Sequence, residues 1–198
     1  MKIICLRLGQ LETNCYLIFN PKTNNCLIID PADEANFISE KIISQKLIPR
    51  LIIATHGHFD HILAAGELQR TFQIPLAINY NDLFLLKNTL KSSQYWLGQE
   101  IFFLPPQPTI DLRREKTILL DKTKIQIIKT PGHTPGSICL YLPKAKTLFS
   151  GDTLFLREKA RIDFTYSDKK EYQKSLAKLE KLLPLQLYPG HGPSGFKA

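Results

Sequence analysis

No apolar run in this 198-residue chain approaches the roughly 18 residues that a membrane-spanning helix needs. The N-terminal run is broken by Arg7 before it could form the core of a signal peptide, so a cytoplasmic protein with no membrane partner is expected. Cysteine is sparse and unpatterned. Cys5, Cys15, Cys26 and Cys139 show no C-x-x-C spacing and fall mostly in apolar or strand-like stretches, which favours buried free thiols over disulfides or a thiolate metal site. No internal repeat, low-complexity tract or linker interrupts the sequence. One domain spanning residues 1–198 is expected, long enough to bury a substantial core.

Hydrophobic residues at 43% and charged residues at 22% match a folded globular protein and argue against disorder. The formal charge of +8 permits an anionic partner without establishing one. Lysine and arginine are spread along the chain, densest from Arg157 to Lys181, where much of the pattern is that of a solvated helix face. Nucleic acid is therefore the less favoured partner, and the sequence does not fix an oligomeric state.

Histidine is also scarce, and none is left over. A lone histidine is ordinarily a surface or core residue, but all five here, His56, His58, His61, His133 and His191, stand in Gly-punctuated turns. Three of them fall in Thr55-His56-Gly57-His58-Phe59-Asp60-His61, straight after the apolar run Leu51-Ile52-Ile53-Ala54. Imidazole and carboxylate at a rigid strand end suit zinc, iron or manganese. The residues after His61 have a helix-forming composition, which puts Asp60 and His61 at a strand-to-helix junction.

Taken in order, Ile3–Leu8, Cys15–Phe19 and Cys26–Ile29 have strand character, and Glu34–Leu47 carries Ala35, Ile38 and Ile42 at helical spacing. Asp30-Pro31 ends the third strand, where Asp30 is either a turn former or a carboxylate that orients a metal-bound histidine. Leu76–Ile78 is a further strand, and Asn81–Gln94 is expected to be one helix. The aromatic, proline-rich stretch from Trp96 to Pro108 is either a wall beside a site or a loop packed on the core. A hairpin of Thr117–Leu120 and Lys124–Lys129 delivers His133, and a second, Ser137–Leu142 and Thr147–Phe149, delivers Asp152. A helix from Asp168, with Asp168 and Glu171 as a capping box, precedes Leu185–Tyr188, which delivers His191.

Four strand ends thus present seven candidate ligands: His56, His58, Asp60, His61, His133, Asp152 and His191. That is too many for one tetrahedral ion and suits two ions sharing a carboxylate. The segments Thr-His-Gly-His-Phe-Asp-His, Thr-Pro-Gly-His-Thr-Pro-Gly-Ser, Ser-Gly-Asp-Thr-Leu-Phe and Tyr-Pro-Gly-His-Gly-Pro resemble, in order, the motifs of the metallo-β-lactamase superfamily in its glyoxalase II-like branch. The resemblance implies an α/β fold of four layers, an αββα sandwich of two mixed sheets with outer helices. It implies two divalent ions, zinc first and iron or manganese as alternatives. His56, His58 and His133 would hold one and Asp60, His61 and His191 the other, with Asp152 bridging and Asp30 as a supporting acid. It also implies a bridging hydroxide as nucleophile, oriented by Asp60.

Some positions depart from the pattern. Leu63-Ala64-Ala65-Gly66 replaces the Gly-Gly of many relatives, and Ala160-Arg161-Ile162-Asp163 keeps only the Arg and Asp of Gly-Arg-x-Asp. Arg161 and Asp163 are either a structural ion pair or substrate contacts. The C-terminal helical region with which glyoxalase II grips glutathione is not expected here. The favoured function is hydrolysis of a thioester or ester, a hydroxyacylglutathione being one such small-molecule partner. A persulfide dioxygenase with one Fe(II) on His56, His133 and Asp152 is the alternative, followed by a metal-dependent nuclease.

Overall fold

A computed structural model describes residues 1–99, 101–157 and 160–198. Within the basic stretch noted above, Glu158 and Lys159 lie outside the described residues. In β1 (Lys2–Leu8), Leu6 and Leu8 turn inward while Cys5 and Arg7 face solvent, the two-residue alternation of an edge strand. All four cysteines are free, but Cys5 is exposed rather than buried for this reason; Cys15, Cys26 and Cys139 are buried.

The strands β2 (Thr13–Phe19) and β3 (Asn25–Ile29) continue antiparallel, and β4 (Ile48–Ile53), β5 (Leu76–Ile78) and β6 (Pro108–Asp111) add in parallel, in the order β1-β2-β3-β4-β5-β6. Parallel neighbours need crossovers. These are supplied by α1 (Ala35–Ser44), α2 (Ala65–Phe72) and the pair α3 (Leu83–Lys87) and α4 (Thr89–Leu97).

The second sheet begins as a meander of β7 (Thr117–Leu120), β8 (Thr123–Lys129), β9 (Ile138–Leu142) and β10 (Thr147–Gly151). After α5 (Lys169–Glu180), β11 (Leu185–Pro189) returns parallel to β10, and β12 (Gly195–Lys197) closes the edge. Both sheets are mixed. Each also comes from one continuous part of the chain, the first ending at Asp111 and the second starting at Thr117.

Alternate residues of the central strands point to opposite faces, and both faces are covered. Between the sheets, Tyr16, Leu27, Ile29 and Ile53 meet Ile125, Ile138, Leu140 and Phe149. On the outer face of the first sheet, Ile38, Ile42 and Leu68 cover Leu17, Ile28 and Ile52. On the outer face of the second, Leu179 covers Cys139, Leu148 and Leu187. The result is the expected αββα sandwich.

Three local expectations change. The helix expected over 81–94 is a 3-10 turn, Tyr80–Asp82, followed by two helices that break at Asn88, whose side-chain amide bonds back to the Phe84 carbonyl at 2.8 Å. Such backbone bonding makes asparagine a helix terminator. The proline-rich stretch yields β6, because an edge strand tolerates a proline as its first residue. Its approach packs on α2: Gln69 and Gln107 exchange bonds of 2.9 and 2.7 Å, and any Cβ at Gly66 would collide with the Leu104 carbonyl. Gly66 therefore serves that contact.

Asp168 caps α5, its Oδ1 accepting from the amides of Lys170 and Glu171 at 2.8 and 2.9 Å. The reciprocal half of the capping box does not form. Glu171 pairs with Lys174 at 2.6 Å, and the Asp168 amide donates to the Gly132 carbonyl. Asp168→Ala should lower stability by about 1 kcal/mol, read as a reduced urea midpoint at constant m-value.

Candidate metal centre

The strands β4, β8, β10 and β11 end at one edge of the sandwich, and the polar loops that follow them carry the histidines and acids. His56 and His58 follow β4, His133 follows β8, Asp152 follows β10 and His191 follows β11. Asp60 and His61 occupy a 3-10 turn, Phe59–His61, ahead of α2. One atom each from His56, His58, His133 and Asp152 lie within 4.8 Å of one another, as do atoms from Asp60, His61 and His191.

Every histidine is fastened through the ring nitrogen that faces away from its cluster. His133 Nδ1 donates to the Arg161 carbonyl at 2.6 Å, and His191 Nδ1 to that of Leu11 at 3.0 Å. His61 Nδ1 donates to Asp30 Oδ2 at 3.0 Å. Thr55 Oγ1 gives its proton to the same oxygen at 2.7 Å, so it accepts from His56 Nδ1 at 3.1 Å. His58 Nε2 meets the Tyr166 hydroxyl at 2.8 Å.

For His56, His61, His133 and His191 these bonds place a proton on the outer nitrogen, so that in the neutral ring the lone pair is on the inner one. Those inner nitrogens face each other. His56 Nε2 and His58 Nδ1 are 3.0 Å apart, His133 Nε2 and His58 Nδ1 3.1 Å, and His61 Nε2 and His191 Nε2 3.3 Å. In neutral rings these lone pairs would converge, which suits a cation.

Asp152 sits between the clusters. Its Oδ1 is 3.6 Å from His61 Nε2, and its Oδ2 is 3.6 Å from His133 Nε2 and 3.7 Å from His191 Nε2. Oδ1 is buried with no hydrogen-bond partner among the described residues, a costly arrangement for a carboxylate unless positive charge meets it. Asp60 Oδ2 lies 3.1 Å from His191 Nε2 and 3.5 Å from His61 Nε2, and accepts from Thr13 Oγ1 at 2.9 Å. The residues present therefore fit a pair of divalent ions.

In the metal-free chain the electrostatics differ between the two clusters. Burial, then the neighbouring His133, pushes His58 down to about 3; burial and the adjacent histidines likewise lower His56. Burial would also depress His61, but Asp60, Asp152 and Asp30 overcome it and raise the group. Burial alone would raise Asp60, yet His61 and the bond from His191 hold it down to about 2. Asp60 and Asp152 stay ionised, and the positive charge they call for is a proton on His61 in the metal-free chain, which a bound ion would displace.

Asp30 is buried, with Oδ1 accepting from the Thr55 amide at 2.7 Å and Oδ2 facing His61. Arg161 Nη2 pairs with Asp163 Oδ2 at 2.8 Å, and the Arg161 guanidinium lies 5.0 Å from the Trp96 ring centroid and 4.8 Å from that of Phe164. Arg161 lines a cavity of about 400 Å³ over the clusters, together with Leu11, Trp96, Phe155 and Phe164. Asp163 is exposed and outside that lining. Of the aromatic stretch, Trp96 reaches the cavity, whereas Phe102 is 83% exposed.

Several supporting residues escaped the sequence reading. Asn14 Nδ2 donates to the carbonyls of Pro189 and Gly192 at 3.0 and 2.9 Å, and the Tyr16 hydroxyl donates to the Pro189 carbonyl at 2.6 Å. These bonds fasten the His191 loop to β2. Asp82 and Tyr166 were missed as well. The one sequence signal was a polar Thr13-Asn14 pair at the head of an otherwise apolar strand.

Known proteins resemble this chain in sequence and fold. The hydroxyacylglutathione hydrolase GloC of Haemophilus influenzae is 33% identical over 200 residues, covering 97% of this chain and 91% of its own. The crystal structure of the BLEG-1 B3 metallo-beta-lactamase superposes with a TM-score of 0.90 at 30% identity, covering 98% of this chain and 94% of that one. The structure of TTHA1623 in a di-iron-bound form gives 0.87 at 33% identity, with coverages of 98% and 94%. A profile of the metallo-beta-lactamase superfamily matches residues 8–191. On its fold, its converging histidines and acids, and this match, the chain belongs to the metallo-beta-lactamase superfamily.

Proposed function

We propose that this chain is a dinuclear metallo-hydrolase that cleaves thioesters, with zinc as the first ion to test and iron or manganese next. The observation that carries the reading is Asp152, whose carboxylate lies between the two clusters with a buried oxygen that has no hydrogen-bond partner among the described residues. His56, His58 and His133 would hold one ion and Asp60, His61 and His191 the second, with Asp152 within reach of either. Two divalent ions held there would lower the pKa of bound water to about 7 and polarise a carbonyl.

The chain's own residues do the rest. The outer hydrogen bonds keep each imidazole's lone pair inward. Asp60, ionised and steadied by Thr13, orients the attacking water by accepting its proton in a hydrogen bond. Leu11, Trp96, Phe155 and Phe164 limit access of bulk water to the reacting carbonyl, and Arg161 contributes a positive rim for an acidic substrate. The name of the Haemophilus influenzae relative supports a glutathione-linked thioester as the first substrate. The location is cytoplasmic on this reading; among the described residues no helix is long and apolar enough to cross a membrane.

Anaerobically purified protein should contain about two metal ions per chain and hydrolyse S-lactoylglutathione or another thioester. About one iron per chain, with oxygen uptake on glutathione persulfide, would replace the hydrolase by an oxygenase. Two ions without turnover across a panel of thioesters, esters and lactones would sink the substrate class.

A further inference from the structure

We infer that Asp82 is a positioning residue for the first cluster, clamping the loop that carries His56 and His58 to the loop that carries His133. Asp82 ends the 3-10 turn after β5 and is 0% exposed. Its Oδ2 accepts from the Gly57 amide at 2.9 Å and from Thr134 Oγ1 at 2.7 Å. Its Oδ1 accepts from the Gly136 amide at 2.6 Å. Gly57 lies between His56 and His58, and Thr134 adjoins His133. One carboxylate therefore joins two loops that supply three of the four members of that cluster.

The glycines make the contact possible. A Cβ at Gly57 would come within 2.9 Å of the Asp82 carbonyl oxygen, and one at Gly136 within 2.5 Å of Asp82 Cγ, far inside ordinary contact. Both loops leave out a side chain where the carboxylate enters. Asp82 is outside the lining of the cavity, so it acts through the histidines and does not touch the substrate. Other groups hold the second cluster: Asp30 orients His61, and β2 fastens the His191 loop. Loss of Asp82 should thus weaken one ion selectively.

This inference rests on the dinuclear reading, and its test separates the two. Wild-type chain, Asp82→Asn and Thr134→Val are titrated with Zn²⁺ against a chromophoric chelator, the two binding steps being identified with His133→Ala and His191→Ala. Asparagine keeps the size but loses one acceptor, so Asp82→Asn should weaken the His133-dependent step about 10- to 100-fold. It should leave the His191-dependent step within about twofold and alter the visible spectrum of the Co²⁺-substituted protein.

Equal weakening of both steps would mean a general structural role, and unchanged affinities would mean none; either overturns the inference. If Asp82→Asn fails to fold, Thr134→Val, which removes one donor, must show the same selectivity in weaker form. A wild-type chain that binds no ion overturns the dinuclear reading by itself. The clamp is then judged on metal-free protein, where either variant should speed amide exchange at Gly57 or Gly136, and unchanged exchange overturns it.

Discussion

Asp152→Ala should release one of the two bound ions and lower thioester turnover by about three powers of ten, a loss of roughly 4 kcal/mol of transition-state stabilisation. The size of the effect follows from position. Both Asp152 oxygens face histidine nitrogens of the two clusters at 3.6–3.7 Å, so on the dinuclear reading the substitution removes a ligand from each ion at once. Stability should fall both with and without metal. Burial alone would raise Asp152, yet His61 and His191 hold it well below the usual carboxylate range, so in the metal-free chain its removal leaves buried imidazole charge without its counter-charge. Metal-free Asp152→Ala should therefore melt below metal-free wild type, and the metal-loaded variant should fall further below loaded wild type because binding free energy is lost as well. Metal analysis, turnover and two melting curves check this; two retained ions with normal turnover would remove Asp152 from its bridging role.

Asp30→Asn should weaken the ion on Asp60, His61 and His191 about 10- to 100-fold and cost the metal-free fold on the order of 2 kcal/mol. Asp30 has φ +48°, a conformation that asparagine adopts readily, so the backbone is not the cause. The amide is. Asp30 accepts three hydrogen bonds and donates none, and either orientation of an asparagine amide turns an N–H toward the Thr55 amide or toward His61 Nδ1. In the second case His61 is driven to the other tautomer, with a proton where its inward lone pair should be. Competition with a chelator reads the first effect and a denaturant midpoint the second; an unchanged affinity would show that Asp30 serves only the turn.

Much of the layout was legible because it repeats locally. Leu51–Ala54 and Leu185–Tyr188 show apolar strands running into Gly-punctuated histidine turns, and the meeting of the seven side chains follows from several such strand ends together, whereas the αββα arrangement was implied by the family resemblance of the four motifs. The fastening was not legible, because its partners are distant in sequence. Asn14 meets the Pro189 carbonyl across 175 positions, and Asp82 meets Thr134 across 52. Within its own neighbourhood Asp82 looks like an ordinary residue near a helix start, and Asn14 like a turn residue. Cys5 and the 81–94 segment mislead for the opposite reason: strand composition does not say which face of an edge strand is wet, and helical spacing does not register that Asn88 bonds back to Phe84.

The first sheet and its loops provide His56, His58, Asp60 and His61, while the second provides His133, Asp152 and His191. Each cluster draws members from both. Neither half of the polypeptide can therefore complete a cluster alone, and any free energy gained on binding an ion is also free energy of docking the two halves. On the dinuclear reading the centre is a clasp: ions that ready the protein for chemistry would also oppose the parting of its two sheets.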